Sequence, residues 1–523
     1  MPPIQPRTLT NMSPTLETLK TALATPSVLA LVALVAYALV RLALTRRTTT
    51  IPGPRAFPLI GNLLDWPSEY QGEAMQKWAK VYGPITKLSI LGKDILFVSG
   101  SRTITDLFVA RGATCSDRPD LVFSGELCGL NILHPLSQYG DDFKAQRRFM
   151  KEVVAPDVLR SHWTLLEEEA RRMCRAVWED PASAVKHLRR SSTSFALRMV
   201  YGLPPLQLDD PKVRLAEEMM HISEYAIVGG WIVDFIPLLK HLPAWFPGAS
   251  FQNRAKYYRA KILEMITMPW DEVGEQVLAG TETESFCSIN MKKHQDGVSK
   301  HTETLIKATA TGIYGGASDT AAASSHSLLL ALLLHPQIQA RAQYEIDALT
   351  NRERLPSLGD RKDLPYLGRV VWEVLRWGVP VPVTLPHRNR VEEVVSSVDG
   401  ELTIAKNTMM VASLFSMSRD PEFHRSPETF NPDRYEGEKA ERLPHYMFSL
   451  GPRRCPGADL AYLQLFQQAA AFLACFTISP AVDAFGMPVP VEPRFGGKVV
   501  RHPEDFQFTI EPRFSGAEKL FAE

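Results

Sequence analysis

The chain has 523 residues, 45% of them hydrophobic, and its 58 lysines and arginines balance 58 aspartates and glutamates. That is ample material for a large core, and the zero net charge excludes wholesale nucleic-acid binding, which needs a basic excess. The six cysteines, at 115, 128, 174, 287, 455 and 475, form no C-x-x-C pair and are too few for a disulfide scaffold. Free thiols in a reducing compartment are therefore expected.

Residues Ala22 to Val40 are apolar apart from Thr25 and Ser27, and the run extends to Leu44 across Arg41 alone. A bilayer core asks for roughly 20 such residues as a helix. The pattern predicts a transmembrane anchor over 22–44, with 1–21 as a short lumenal N-terminus. Arg41, Arg46 and Arg47 put the following side in the cytosol, and the length of the run argues against a cleaved signal peptide. The sequon Asn11-Met12-Ser13 falls close to the membrane and ahead of Pro14, where it is expected to stay unmodified. A proline-rich linker covers 45–60 and contains Ile51-Pro52-Gly53-Pro54, stiff because proline fixes φ and removes a donor. Nothing divides 61–523, which reads as one domain.

Short strand-like runs follow at Ile85–Leu88 and Ile95–Val98, and helical signals dominate from about 140 to 350. Within them, Tyr139 to Arg148 carries Phe143 and Arg147 four residues apart. A long helix is predicted from Thr302 to Leu334, ending at His335-Pro336. It contains Gly315 and Gly316, each costing about 1 kcal/mol relative to alanine, which suggests a distortion with a use. Asp319 and Thr320 then place an acid and an alcohol in an apolar helix. A second helix spans about Tyr366 to Trp377 with Pro365 in its first turn, and Glu373 and Arg376 share one of its faces at i, i+3. Asp399-Gly400 predicts a hairpin turn, and Phe506, Phe508 and Ile510 alternate as in a half-buried strand. The fold class is mostly α with a minor β part.

Phe448-Ser449-Leu450-Gly451-Pro452-Arg453-Arg454-Cys455-Pro456-Gly457 is a loop that delivers one cysteine just before a helix starting near Ala458. The helix N-terminus and two arginines are expected to favour a thiolate, and Gly451 and Gly457 to let backbone approach a flat cofactor. This stretch resembles the haem-binding signature F-x-x-G-x-R-x-C-x-G of the cytochrome P450 superfamily at every fixed position. The resemblance implies a P450-like fold carrying an N-terminal transmembrane helix, and haem b held by the thiolate of Cys455. It implies further that Phe448, Gly451, Arg453 and Gly457 border the haem.

Glu373-Val374-Leu375-Arg376 is similar to the family's E-x-x-R helix, with Arg434 as the third member of a buried network. Gly316 to Thr320 resembles its A-G-x-[DE]-T motif, with Ala317 where glycine is usual, and implies that Asp319 and Thr320 feed protons to dioxygen. The segment around Phe143 resembles the W-x-x-x-R helix with the indole donor lost. Arg147, Arg453 and His387 are then expected at the haem propionates. Matched segments nominate Phe123, Leu127, Ile313, Ala317, Val383, Thr384 and Val499 for the substrate pocket, a largely apolar set that favours a lipophilic substrate.

Leu242 to Gly248 looks like fungal microsomal members that tailor secondary metabolites. A terpenoid is the first expectation for the substrate, and a polyketide or indole scaffold the second. No flavin- or nicotinamide-binding domain is visible. Electrons are therefore expected from a separate NADPH-dependent reductase, with cytochrome b5 as an optional second donor, at the endoplasmic reticulum membrane. Two rival classes are a reductase-independent haem-thiolate isomerase or dehydratase, which has little use for Asp319-Thr320, and a non-catalytic haem sensor, which would carry an output domain.

Overall fold

The computed structural model describes residues 51–522, apart from 68, 208–209, 229, 295–296 and 398–399, together with Val35. The expected anchor at 22–44 lies, but for Val35, outside the described residues, as do 1–21 and 45–50. Among the described residues no helix is long and apolar enough to cross a membrane.

Helix α1 (Gln71–Tyr82) precedes a hairpin of β1 (Ile85–Ile90) and β2 (Lys93–Val98). A helical stretch follows: α2 (Asp141–Val154), α3 (Trp163–Glu179), α4 (Ala184–Tyr201), α5 (Pro211–Val228), α6 (Phe251–Ala279), α7 (Phe286–Lys293), α8 (Lys300–Leu334), α9 (Pro336–Thr350) and α10 (Pro365–Gly378). Short strands β3 (His387–Arg388), β4 (Glu393–Ser397), β5 (Gly400–Ile404) and β6 (Met409–Ala412) come next. Helix α11 (Ala458–Cys475) leads into β7 (Phe476–Pro480), β8 (Phe495–Gly496), β9 (His502–Pro503) and β10 (Phe508–Pro512). Shorter helical turns are named by residue number.

The main sheet runs β1-β2-β6-β3, with β2 and β6 parallel. Ile95 to Val98 are buried one after another because β2 is covered on both faces. Strands β4 and β5 pair as the hairpin expected around Gly400, whose preceding turn residue Asp399 lies outside the described residues. Ile51 is buried among Ile85, Val98 and Met410, and Lys87 N donates to Pro52 O at 2.9 Å. The Pro-Gly-Pro segment, expected to be a stiff connector, is packed on the globule, because its apolar start fits the flank of β1.

Helix α8 is the axis of the molecule. Its 35 residues reach about 52 Å, and Leu328 to Leu333 are buried all round, as in a helix surrounded by others. Ser299 caps it through Oγ, which accepts from Thr302 N at 3.1 Å. The helix runs unbroken through Gly315 and Gly316. A Cβ at either position would meet nothing within 4 Å, so the glycines keep space open beside the helix.

Candidate active site

The open space lies along one stripe of α8. Ile313, Gly316, Ala317 and Thr320 keep accessible surface, while Tyr314, Ser318, Asp319 and Ala321 are buried. The open positions are spaced i, i+3, i+4, i+7, one face of a helix. Thr320 Oγ1 donates to Gly316 O at 2.7 Å, so the hydroxyl bonds back within the helix and presents its lone pairs.

Cys455 is delivered just ahead of α11 by a loop in which Cys455 N donates to Phe448 O at 2.7 Å. Phe448 itself packs edge-on to Trp372. Cys455 is the one exposed cysteine of the six, yet protein surrounds it closely enough that burial is the main influence on its thiol, pushing it up. An open face within a protein-lined depth describes a sulfur on an internal opening. The Gly457 N–H and the charges of Arg147 and Arg454 pull the thiol down only in part. Of the two adjacent arginines expected to favour a thiolate, Arg454 does pull the thiol down, while Arg453 turns away to Ser116 O and Ser137 O. Gly451 also has a different role from the one expected. Its φ is +58°, and a Cβ there would lie 1.9 Å from Phe108 O, so it permits a close contact within the protein. At Gly457 a Cβ would meet nothing within 4 Å, which leaves that flank open for a flat group.

Arg453 joins a basin of cations. Its Nε donates to Ser116 O and its Nη2 to Ser137 O, both at 2.8 Å, and its guanidinium lies 4.2 Å from the centre of Phe143. His134 stacks on the same ring at 4.6 Å. Arg118, fully surrounded, donates Nε to Pro135 O at 2.7 Å and Nη1 to Leu385 O and Pro386 O. Arg147 Nη1 donates to Arg454 O at 2.8 Å. His387 is buried with Nδ1 donating to Cys115 O at 2.9 Å. Asp117, the carboxylate next in sequence, is taken by Arg388 and Arg390.

Among the described residues no carboxylate lies within ion-pair distance of Arg118, Arg147 or Arg453. Burial, with the Arg453 charge next, pushes Arg118 well down, and burial pushes Arg453 to about 10 against the pull of Asp117 and Tyr139; burial with the charges of Arg147, Arg453 and Arg118 pushes His134 down to about 3. His134 Nε2 is buried without a partner. Two buried arginines, Arg118 and Arg453, with the half-buried Arg147 beside them and no anion, are costly. The basin therefore fits a ligand that brings its own carboxylates, and a haem with its two propionates supplies that chemistry beside Cys455. His134 and Arg118 were not legible in the sequence: nothing local marks them as neighbours of Arg453.

Glu373 and Arg376 have no accessible surface and form a two-pronged pair, both bonds at 2.8 Å. Arg434 Nε donates to Glu373 Oε1 at 3.0 Å, and Tyr435 Oη and Asn431 N complete the carboxylate. The network continues where the sequence showed nothing: Arg434 Nη1 pairs with Glu441 at 3.0 Å, and Glu441 holds His424 Nδ1 at 2.8 Å.

Of the expected pocket residues, Leu127, Ile313, Ala317 and Val499 keep open surface. Phe123 does not. It is 0% exposed and stacked on Trp231 at 3.7 Å, so its face is spent on another ring. Val383 packs into the cluster under β1 and β2, and Thr384 Oγ1 accepts from Ala412 N at 3.0 Å. Two other cavities, of about 410 and 820 Å³, are lined by none of Cys455, Thr320 or the three basin arginines.

The cytochrome P450 family model matches residues 51–510. The chain belongs to the cytochrome P450 family. It is 35% identical to cytochrome P450 monooxygenase claT of Ampulloclitocybe clavipes, over 90% of this chain and 92% of that protein. It is 33% identical to cytochrome P450 monooxygenase 45 of Postia placenta, over 90% and 89%, and 31% identical to cytochrome P450 monooxygenase ppsD of Aspergillus oryzae, over 90% and 90%. This P450 is a haem-thiolate monooxygenase taking a small-molecule substrate and a redox partner. In it, Arg118→Leu should lower stability by about 2 kcal/mol, because three partly buried carbonyls lose their donor, and should loosen haem. Urea unfolding followed at the Soret band reads both, and an unchanged midpoint would show that the basin tolerates the loss.

Proposed function

We propose that this P450 inserts oxygen into a lipophilic small molecule of secondary metabolism, a terpenoid first, with a polyketide or indole scaffold as the second choice. The observation that carries the reading is the open stripe of α8, where apolar Ile313 and Ala317 flank Thr320 and Asp319 lies behind it. An apolar lining with one placed hydroxyl suits a hydrocarbon skeleton.

Haem bound through Cys455 supplies dioxygen activation and the electron push that favours O–O cleavage. Arg118, Arg147, Arg453 and His134 hold its carboxylates, and the Glu373–Arg376–Arg434 network keeps the surrounding segments in place. Ile313, Ala317, Leu127 and Val499 bind the substrate and exclude water. Thr320 Oγ1 accepts a proton from the side of Asp319 and donates one toward dioxygen, as its own bond to Gly316 O is given up. Such a step has no use in an isomerase or dehydratase.

The enzyme works at the endoplasmic reticulum membrane. Residues 22–44 anchor it, with 1–21 lumenal and the catalytic domain cytosolic, and a separate NADPH-dependent reductase supplies electrons, with cytochrome b5 as an optional donor. Product analysis after co-expression with a reductase and candidate scaffolds tests the substrate class. Thr320→Ala should raise several-fold the share of NADPH electrons recovered as hydrogen peroxide, within the range a placed general acid contributes. An unchanged share would remove Thr320 from the reaction.

A further inference from the structure

Asp319 is held from behind the open stripe by two groups that come from other elements. Its Oδ2 lies 3.2 Å from His502 Nε2 on β9, and its Oδ1 lies 3.5 Å from Arg189 Nη2 on α4. Arg189 reaches on to Glu217 of α5 at 3.7 Å. Side-chain exposure climbs on both branches from Asp319 (11%), to 22% at His502 on one and to 36% at Arg189 and 50% at Glu217 on the other. A buried acid beside Thr320 is thus joined to solvent through groups that are each more open than the last.

Burial works against the Asp319 carboxylate, but the His502 bond and the charges of His502 and Arg189 hold it below its ordinary range. An ionised carboxylate only accepts, so His502 Nε2 carries the hydrogen and donates it. A carboxylate held in this state is a poor proton store. Arginine is poorer still, because it does not release its proton in proteins. Imidazole can take a proton at one ring nitrogen as it gives one up at the other. The remaining neighbour, His326 on α8, is pushed down to about 4 by burial and by the charges of His502 and Arg189, and it stacks on Phe506 at 5.3 Å. It stays neutral and does not compete.

We propose that His502 is a positioning residue for the oxidation, orienting Asp319 and holding the proton that Asp319 passes toward Thr320. The proton on Nε2 moves to Oδ2, breaking one N–H bond and forming one O–H bond, while Nδ1 takes a proton from solvent, so the ring carries one hydrogen before and after. Once the carboxyl has passed its proton on, exchange with water restores the Nε2–H form, and no electrons move in this step. The inference rests on the reading that Asp319 and Thr320 supply protons.

The test uses the full-length holoenzyme with a reductase and NADPH and no added substrate, so that electrons end as peroxide or as water. His502→Ala, His502→Gln and Thr320→Ala are compared across pH, with the ferrous carbonyl spectrum as the check on haem. Glutamine keeps an N–H for Asp319 but has no second ring nitrogen through which a proton could pass. The peroxide share should rise at least about twofold in His502→Gln. Thermal midpoints against pH, which need no turnover, should fall less steeply toward acid in His502→Gln than in the parent, because the His502 charge that helps hold the Asp319 carboxyl below its ordinary range is gone, and Asp319→Asn should lack this acid loss. If His502→Ala fails to hold haem, His502→Gln alone decides. A parental peroxide share and pH profile in His502→Gln, with Thr320→Ala raised, overturns the role of His502 and leaves the Thr320 reading standing. A parental share in Thr320→Ala overturns both.

Discussion

Cys455→Ser protein is expected to fold, to lack the red-shifted Soret band of a thiolate-ligated ferrous carbonyl, and to give no detectable product. The substitution exchanges one atom at the mouth of α11, and the bond from the residue 455 amide to Phe448 O does not involve the side chain. The fold therefore has little reason to change, and far-UV circular dichroism should match the parent. The chemistry has every reason to. In the protein alone, burial keeps the thiol protonated against the pull of Gly457 N–H, Arg147 and Arg454, and a metal ion deprotonates a coordinating thiol outright. A serine hydroxyl, far less acidic, gives up its proton much less readily at the same place, so the electron push that favours O–O cleavage is lost. The other five cysteines are buried and cannot replace it. A parental ferrous carbonyl spectrum in Cys455→Ser would remove the sulfur from the iron and the proposed catalysis with it.

Glu373→Gln should cost about 3–5 kcal/mol, the penalty for breaking a buried ion pair, out of a total that rarely exceeds about 15 kcal/mol. Glu373 is the shared partner of Arg376 and Arg434, all three with at most 3% exposure. Burial works against the Arg376 guanidinium, and the carboxylate beside it more than compensates. Neutralising that carboxylate leaves one carboxylate, Glu441, facing two buried arginines. The Arg376 bonds to Ser418 O, Pro427 O and Thr429 O survive as bonds to a cation without its counter-charge. Those carbonyls belong to the segment that leads toward the Cys455 loop, so haem retention should fall together with stability. Urea unfolding read separately by circular dichroism and by Soret absorbance checks this, and a loss below about 1 kcal/mol would mean that Glu441 carries the network.

The parts of this P450 that the sequence shows are those whose physics is contiguous in the chain. The Phe448–Gly457 loop ahead of α11, the span of α8, the i, i+3 pairing of Glu373 and Arg376, and the strands at Ile85 and Ile95 each depend on neighbours a few residues away. Periodicity and spacing therefore encode them. Arg147 and Arg453 were expected at the haem propionates from resemblance, but tertiary packing alone brought Arg118 and His134 to them. Arg118, His134, Arg147 and Arg453 lie on separate segments, and the nearest carboxylate in sequence to Arg118 is spent elsewhere.

The same limit explains the misreadings. Gly451 carries the mark of a close approach, but which atom comes close, Phe108 O, depends on a segment more than three hundred residues earlier. Phe123 has the character of a pocket wall, yet Trp231 covers it. Glu441 and His502 became partners of Arg434 and Asp319 because folding, not spacing, set their distances. Local backbone geometry is written in residue order. The pairing of charges across a core is fixed only when burial removes water and makes each polar group find a partner.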